Sequence, residues 1–551
     1  MKNTARKVAS LLALATSAAC AHGGFDGYRD GVYDSQLAFD KNNYTTLNVT
    51  IDGAPVAVRW YKEVCYVARP QLMAATQAGF GGPVAIANPQ CGYQSMNIYV
   101  PESSANDQKT AIYFAVNNAG WFASYVGASV TNGATYNSAT SNVGAALKAG
   151  YVFINVGTRS RRLVAADGTA AGKAPTVVVD AKAAVRYLRL NDAVMSGSAE
   201  RIVVNGTSGG GALVSILGAS GNSRDYLPHL NETGAAGIGK NGHSTLRDDV
   251  FAVNAYCPIT DLGNANTAYE WMYSVLGTRA AVNRNNDPVG SAEMAASFVG
   301  YQRRLHLRNA DGSKLTTDNM LDTLKAEVIR SAETFMNAGG TVKDLGESST
   351  YTVGGMPTVF VNDWLDVDSA AKKVVSIDMQ RYLKFVASQN VLKPAPAFDN
   401  VGVATFPGGM SENTLFGTKT QAQLNFSEYA WNNNTVAGDA SGRDDTGTLW
   451  ADYVRLPATT IDDQVKLINP MRYIDSRADT APYWYVRHGT RDRDTSFTVS
   501  INLARKLAAD KRVRDVNYRL AWDQPHAGNY DVPEAMQWIA AKLQTAAHKD
   551  R

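Results

Sequence analysis

The sequence predicts an α/β protein built on a largely parallel sheet, and three observations carry that reading. Strand-like and helix-like patterns alternate from residue 151 onward and again after residue 469, as in βαβ units. A short apolar run, Ile202 to Val204, leads through Asn205 into Gly206-Thr207-Ser208-Gly209-Gly210, and an apolar helical pattern from Ala212 to Leu217 follows at once. A chain of 551 residues, 45% of them hydrophobic, buries a large core and is too long for one compact unit.

The elements follow in order. Short β-like runs dominate the first quarter: Thr46 to Val49, Val56 to Trp60, Met96 to Val100, Ile112 to Val116 and Tyr151 to Val156. Asp180 to Asn191 has helical apolar spacing and ends at the Gly/Ser break before Ile202. Between 261 and 467 the character changes, with amphipathic helices expected near 291–308, 317–338 and 367–390, separated by loops rich in Gly, Asn and Asp. Alternation resumes at Asn469 to Ile474, with strands at Tyr483 to Val486 and Val516 to Ala521 and a final helix from about Pro533. The economical division is a leader at 1–21, a core at 22–260 and 468–551, and a large, mainly helical lid inserted at 261–467. A lid so placed restricts access to a site on the core.

The leader reads as a secretory signal peptide. Lys2, Arg6 and Lys7 precede the apolar stretch from Val8 to Ala21, which ends in small residues. Export is therefore expected, to the periplasm or beyond. Lipid attachment at Cys20 is the lesser alternative, since Ser17 stands where such sites favour Leu. No later stretch approaches about 18 uninterrupted apolar residues, so no membrane span is expected. Taking the leader's three cations from 53 Lys and Arg leaves 50 against 50 Asp and Glu. The net charge of +3 thus belongs to the leader, and nothing points to a nucleic-acid partner. Cys65 and Cys91 sit on predicted strands of an exported chain, where a disulfide is compatible though not established by spacing. Cys257, after an apolar run, reads as a small buried hydrophobe. No Cys/His cluster has metal-ligand spacing, and neither a metal nor a cofactor is expected.

Residues 206–210 form a G-x-S-x-G pentapeptide between strand and helix, the nucleophile elbow of an α/β-hydrolase. The pattern alone is weak, and its strand–turn–helix context carries the reading of Ser208 as nucleophile rather than an incidental serine in a Gly turn. In this fold the acid and the histidine follow the serine in the chain. His526, in the loop after the strand Asn517 to Trp522 and before the final helix, is the expected base. Of the other six histidines, His22, His243 and His548 lie in a tail, a Gly-rich loop and the terminus. His229 and His306 precede or lie in the insert, and His488, at a strand end, is expected to point into packing. The loop Arg487 to Asp494 after Tyr483 to Val486 offers two carboxylates. Asp492 is the expected acid, with Asp494 facing the pocket, against the plainer reading of a solvated Arg/Asp loop. The oxyanion hole would take the N–H of Gly209 and a second from Gly120 or Trp121, in the loop after Ile112 to Val116.

With these residues on the page, a resemblance can be stated. GTSGGGAL (206–213), AYCPITDL (255–262) with AYEW (268–271), ENTLFG (412–417), the RHGTRDRD loop and the last loop histidine together resemble bacterial tannases, the gallate-ester hydrolases. The resemblance spans most of the chain beyond the leader. It implies an α/β-hydrolase core with a large inserted lid and a triad at Ser208, Asp492 and His526. It further implies a lysine, a glutamate and an aspartate that bind the three galloyl hydroxyls. The aspartate matches Asp494; Glu412 and Lys393 match the other two, with Lys419 and Glu428 as a rival pair. The reaction expected is hydrolysis of galloyl esters through an acyl-enzyme, on a small polyphenol ester. The alternatives are a feruloyl or other aromatic-acid esterase, a serine peptidase of the same fold, and a silent hydrolase fold used as a binding module. Oligomeric state and the natural tannin stay open.

Overall fold

The computed structural model describes residues 31–79, 82–282, 287–402, 411–457 and 459–549. The leader with Cys20 and the stretch 403–410 lie outside the described residues.

Ten strands form one sheet. In chain order they are β1 (Thr45–Ile51), β2 (Ala54–Cys65), β3 (Ser95–Pro101), β4 (Ile112–Val116), β5 (Thr135–Tyr136), β6 (Val152–Val156), β7 (Ile202–Thr207) and β8 (Ala252–Tyr256). Two hairpins outside the sheet follow, β9 (Ser348–Val353) with β10 (Met356–Val361) and β11 (Leu365–Asp368) with β12 (Lys373–Ile377). The last two sheet strands are β13 (Tyr483–Gly489) and β14 (Asp515–Ala521). The spatial order is β14-β13-β8-β7-β4-β6-β3-β2-β1-β5. From β14 to β6 every pair is parallel, whereas β6, β3, β2 and β1 pair antiparallel.

The parallel strands are continuous apolar runs because both of their faces are covered. On β4, Ile112, Phe114 and Val116 join one core, while Tyr113 and Ala115 join the core on the opposite face. Helices α1 (Asn142–Lys148), α2 (Thr176–Leu190) and α3 (Gly209–Ala219) connect the early strands. Between β8 and β13 the chain leaves the sheet. There it forms α4 (Leu262–Ser274), α5 (Pro288–Arg304), α6 (Thr317–Asn337), the two hairpins and α7 (Met379–Ala387). The core closes with α8 (Phe497–Ala509) and α9 (Val532–Lys549).

Two expectations are corrected here. The helix expected over 367–390 occupies only Met379–Ala387, because Lys373–Ile377 pairs with Leu365–Asp368 as a hairpin whose Leu365, Val367 and Ile377 are buried. Cys91 lies in a turn before β3 rather than on a strand. It is nonetheless bonded to Cys65 at the end of β2, with 6.0 Å between the two Cα atoms.

A buried ion pair ties parts of the excursion between β8 and β13 together. Glu270 of the AYEW segment on α4 accepts from Arg279 Nε at 2.7 Å and from Ser291 Oγ of α5 at 2.6 Å. Arg279 Nη1 also donates to the backbone carbonyl of Lys393 at 3.0 Å, so the pair ties α4 and α5 to that segment. Both charged groups are essentially inaccessible. Removing one partner leaves an uncompensated buried charge, so Glu270→Ala should lower unfolding stability by about 3–5 kcal/mol, read from the denaturant midpoint.

Candidate active site

The parallel register brings four strand ends to one edge. Thr207, Tyr256 and Arg487 are in register on β7, β8 and β13, and Gly489 is in register with Ala521 on β14. The loops leaving these ends carry Ser208, Cys257, Asp492 and His526. That edge, beyond the carboxyl ends of the strands, is where open α/β sheets build their sites.

Ser208 occupies the turn between β7 and α3 with φ 61° and ψ −123°, a strained conformation for a residue with a side chain. Its neighbours must be small. A Cβ on Gly206 would lie 2.3 Å from the carbonyl oxygen of Gly210, and one on Gly209 would lie 2.3 Å from the nitrogen of Trp121. The serine is buried, yet its hydroxyl meets His526: Oγ lies 2.8 Å from Nε2. His526 Nδ1 lies 2.7 Å from Asp492 Oδ2. Burial works against charge on Asp492, but His526 and His488 beside it prevail and hold its carboxyl well below the ordinary range. Burial likewise opposes charge on His526, and Asp492 outweighs it, raising the imidazole well above its ordinary value. A hydroxyl bonded to an imidazole whose far nitrogen rests on a buried carboxylate can surrender its proton and attack as a nucleophile.

His488 does not simply fill space, as its sequence position suggests. From the interior of β13 its Nε2 approaches Asp492 Oδ2 at 3.1 Å, and its Nδ1 lies 2.8 Å from Ser500 Oγ on α8. Sequence reading missed it because a histidine within a strand carries no local mark of its partner.

The N–H of Gly209 opens α3, where helix donors have no partner within the helix. Of the two candidates across from it, the N–H of Trp121 donates to Asn118 O at 2.9 Å. Gly120 (φ 56°) has an N–H with no acceptor among the described residues. Asn118 fixes this loop through Nδ2, which donates to Phe122 O and to Thr158 Oγ1, both at 2.8 Å.

Asp494, Glu412 and Lys393 come from three distant segments and are near enough to act on one another's charge. Glu412 and Lys393 are buried. Burial raises the Glu412 carboxyl, and burial lowers the Lys393 ammonium, whose Nζ sits 3.9 Å from the centre of the Phe398 ring. Asp494 pairs with Arg493 at 2.7 Å, and its N–H donates to Asp492 Oδ1 at 2.8 Å, coupling this group to the Ser208 cluster. Arg161, which sequence reading did not single out, is buried over the Phe122 ring and donates Nη1 to Ser411 O at 2.6 Å, next to Glu412. The rival pair lies elsewhere. Lys419 meets Glu232 at 3.6 Å with both side chains largely exposed, and Glu428 lines a cleft of about 680 Å³ whose walls include neither Ser208 nor His526.

Fold and site geometry define an α/β-hydrolase. The BD-FAE family model matches residues 96–289. Among solved structures, a tannase from Fusobacterium nucleatum is 30% identical with a TM-score of 0.69, the match covering 92% of this chain and 99% of that one. A tannin acyl hydrolase in complex with ethyl gallate is 28% identical, and one from Lactobacillus plantarum 27% identical. Both give a TM-score of 0.69 over 92% of this chain and 99% of theirs. A search of curated protein sequences finds no match. The chain belongs to the tannase family of esterases.

Cys257 lies within the same cluster, its Sγ 3.2 Å from Ala527 O. Burial pushes its thiol up, Asp492 adds to this, and His526 opposes it. Such a thiol is a poor nucleophile. Peptide mapping after iodoacetamide treatment at pH 8 should find Cys257 unmodified in the native protein and fully alkylated after unfolding.

Proposed function

We propose that the protein is an exported serine esterase that hydrolyses galloyl esters. The observation that carries the reading is the unbroken series Ser208–His526–Asp492 beside the Asp494, Glu412 and Lys393 group, in a chain of the tannase family. His526 takes the Ser208 proton as Oγ adds to the ester carbonyl, and Asp492 stabilises the imidazolium that forms. The oxyanion is received by the N–H of Gly209 and Gly120. His526 then protonates the departing alcohol, and water activated by the same imidazole releases gallate from Ser208.

The ring contacts account for the acyl preference. Adjacent phenol hydroxyls donate to the Glu412 and Asp494 carboxylates, and the Lys393 ammonium donates to a phenol oxygen. A ring lacking these hydroxyls leaves buried polar groups unpaired, which such a site rejects strongly. The inserted segment 261–467 acts as the lid and supplies Lys393 and Glu412. The solved relatives in complex with ethyl gallate and with 3,4-dihydroxybenzoate support a phenolic acid in this position.

The test is hydrolysis of methyl gallate beside methyl ferulate and 4-nitrophenyl acetate. Methyl gallate should be strongly preferred and its turnover lost in Ser208→Ala; equal or better cleavage of the ferulate would move the assignment to an aromatic-acid esterase. Glu412→Gln or Asp494→Asn should reduce kcat/KM for methyl gallate by about 10- to 100-fold while changing nitrophenyl acetate turnover far less.

The pH profile follows from the imidazole. Only its free base accepts the serine proton, and its raised value means that the free base is lost as pH falls through a point above 6.5. The acid limb of kcat/KM should therefore have its midpoint above 6.5.

A further inference from the structure

The Asp492 carboxylate carries two histidines. Oδ2 lies 2.7 Å from His526 Nδ1 and 3.1 Å from His488 Nε2, while Oδ1 accepts the N–H of Asp494 at 2.8 Å. His488 is fully buried and held on its other side by Ser500 Oγ at 2.8 Å, which in turn lies 3.2 Å from Tyr518 Oη on β14. The Phe497 ring packs against the imidazole at 4.8 Å between centres. This surrounding sets the tautomer. An ionised carboxylate only accepts, so Asp492 places the proton on Nε2; Ser500 O–H, which reaches either Phe497 O at 3.1 Å or Nδ1 at 2.8 Å, donates to Nδ1 in that tautomer. Nε2 makes no other hydrogen bond among the described residues, so Oδ2 at 3.1 Å is the acceptor its proton faces.

We propose that His488 is a positioning residue for the esterase reaction: by donating Nε2–H to Asp492 Oδ2 it fixes that carboxylate and limits its pull on the His526 proton. The inference rests on the assignment of Ser208, His526 and Asp492 given above. Without His488 the carboxylate would be held by the Asp494 N–H on Oδ1 and by His526 on Oδ2, and Oδ2 would share its full charge with one imidazole. With a second donor on the same oxygen, the charge is divided and the oxygen is held from two sides. The groups facing this pair from the packed elements include the Cys257 thiol beyond β8, the Tyr273 and Tyr382 phenols of α4 and α7, the Tyr530 phenol before α9, the Lys393 ammonium and Arg493 of the same loop. Tyr382 Oη donates to Thr490 O at 2.8 Å and Tyr273 Oη to Arg493 O at 3.4 Å, so these phenols brace the loop backbone and leave Oδ2 to the histidines.

The variants that separate positioning from packing are His488→Leu, which fills the volume without a donor, and His488→Gln, whose Nε2 keeps one. On methyl gallate, His488→Leu should lower kcat about tenfold with KM changed less than about twofold. Without the second donor Asp492 holds the His526 proton more tightly, so the acid-limb midpoint should rise by about half a pH unit. His488→Gln should recover most of kcat and the wild-type midpoint. Equal impairment of both variants with an unmoved midpoint, or wild-type kinetics in His488→Leu, would overturn the proposal. The ring nitrogens of the unaltered protein can be read directly by ¹⁵N NMR, which keeps the test independent of whether a variant folds: protonated Nε2 on His488 is expected, and an unprotonated Nε2 overturns the proposal. Ser208→Ala in the same assay separates the two levels. Retained gallate turnover there removes the underlying assignment, whereas its loss beside an unaffected His488→Leu removes only the role of His488.

Discussion

Everything at the candidate site depends on keeping one negative charge buried at the carboxyl edge of the sheet. Asp492 is inaccessible to solvent, and an ionised carboxylate there is costly unless donors surround it. Its donors come from three places: His526 from the loop after β14, His488 from within β13, and the backbone N–H of Asp494 two residues on. The backbone of the loop is closed by the N–H of Asp492 donating to Gly489 O at 3.0 Å. Gly489 also lets the loop that carries His526 pack against this turn, because a Cβ there would lie 2.2 Å from Gln524 O. The charge, its histidines and the two loops are therefore one construction, and a shift in any of them moves the imidazole relative to Ser208.

The same carboxylate connects reaction to recognition. Asp494 is fixed by its own N–H on Asp492, so the group assigned to the substrate ring stands at a set distance from the group that orients the base. Lys393 is fixed from the insert, where its backbone N–H donates to Tyr269 Oη at 3.2 Å and its carbonyl accepts from the buried Arg279. Tyr269 in turn donates to Arg493 O at 2.9 Å. The segment between β8 and β13 is thus bonded to the loop of Asp492 and Asp494 through α4.

Much of this was legible in the sequence because the elements involved are strongly patterned. Ile112 to Val116 is apolar at every position and is read to the residue, and Gly206 to Gly210 declares a tight turn between a strand and a helix. Lys373 to Ile377 reads as part of a helix because Val374, Val375 and Ile377 do not alternate; pairing with Leu365 to Asp368 makes it a strand, and only Met379 to Ala387 is helical. Trp121 and Gly120 were equivalent on paper, and the choice depends on which N–H the turn at Asn118 consumes. His488 was assigned to packing because its partner lies four residues on, across a turn whose closure no residue-type pattern encodes. What sequence patterns hold is periodicity and punctuation; what they omit is which of two adjacent donors a turn leaves free.

The measurement that tests the central claim most directly is covalent labelling with diethyl 4-nitrophenyl phosphate, which traps a serine activated by an adjacent imidazole. Mass spectrometry should find one diethylphosphoryl group per chain on the peptide containing Ser208, formed in step with loss of esterase activity and absent in His526→Ala. Activity that persists with Ser208 unlabelled, or an inactivating adduct on another residue, would contradict the account.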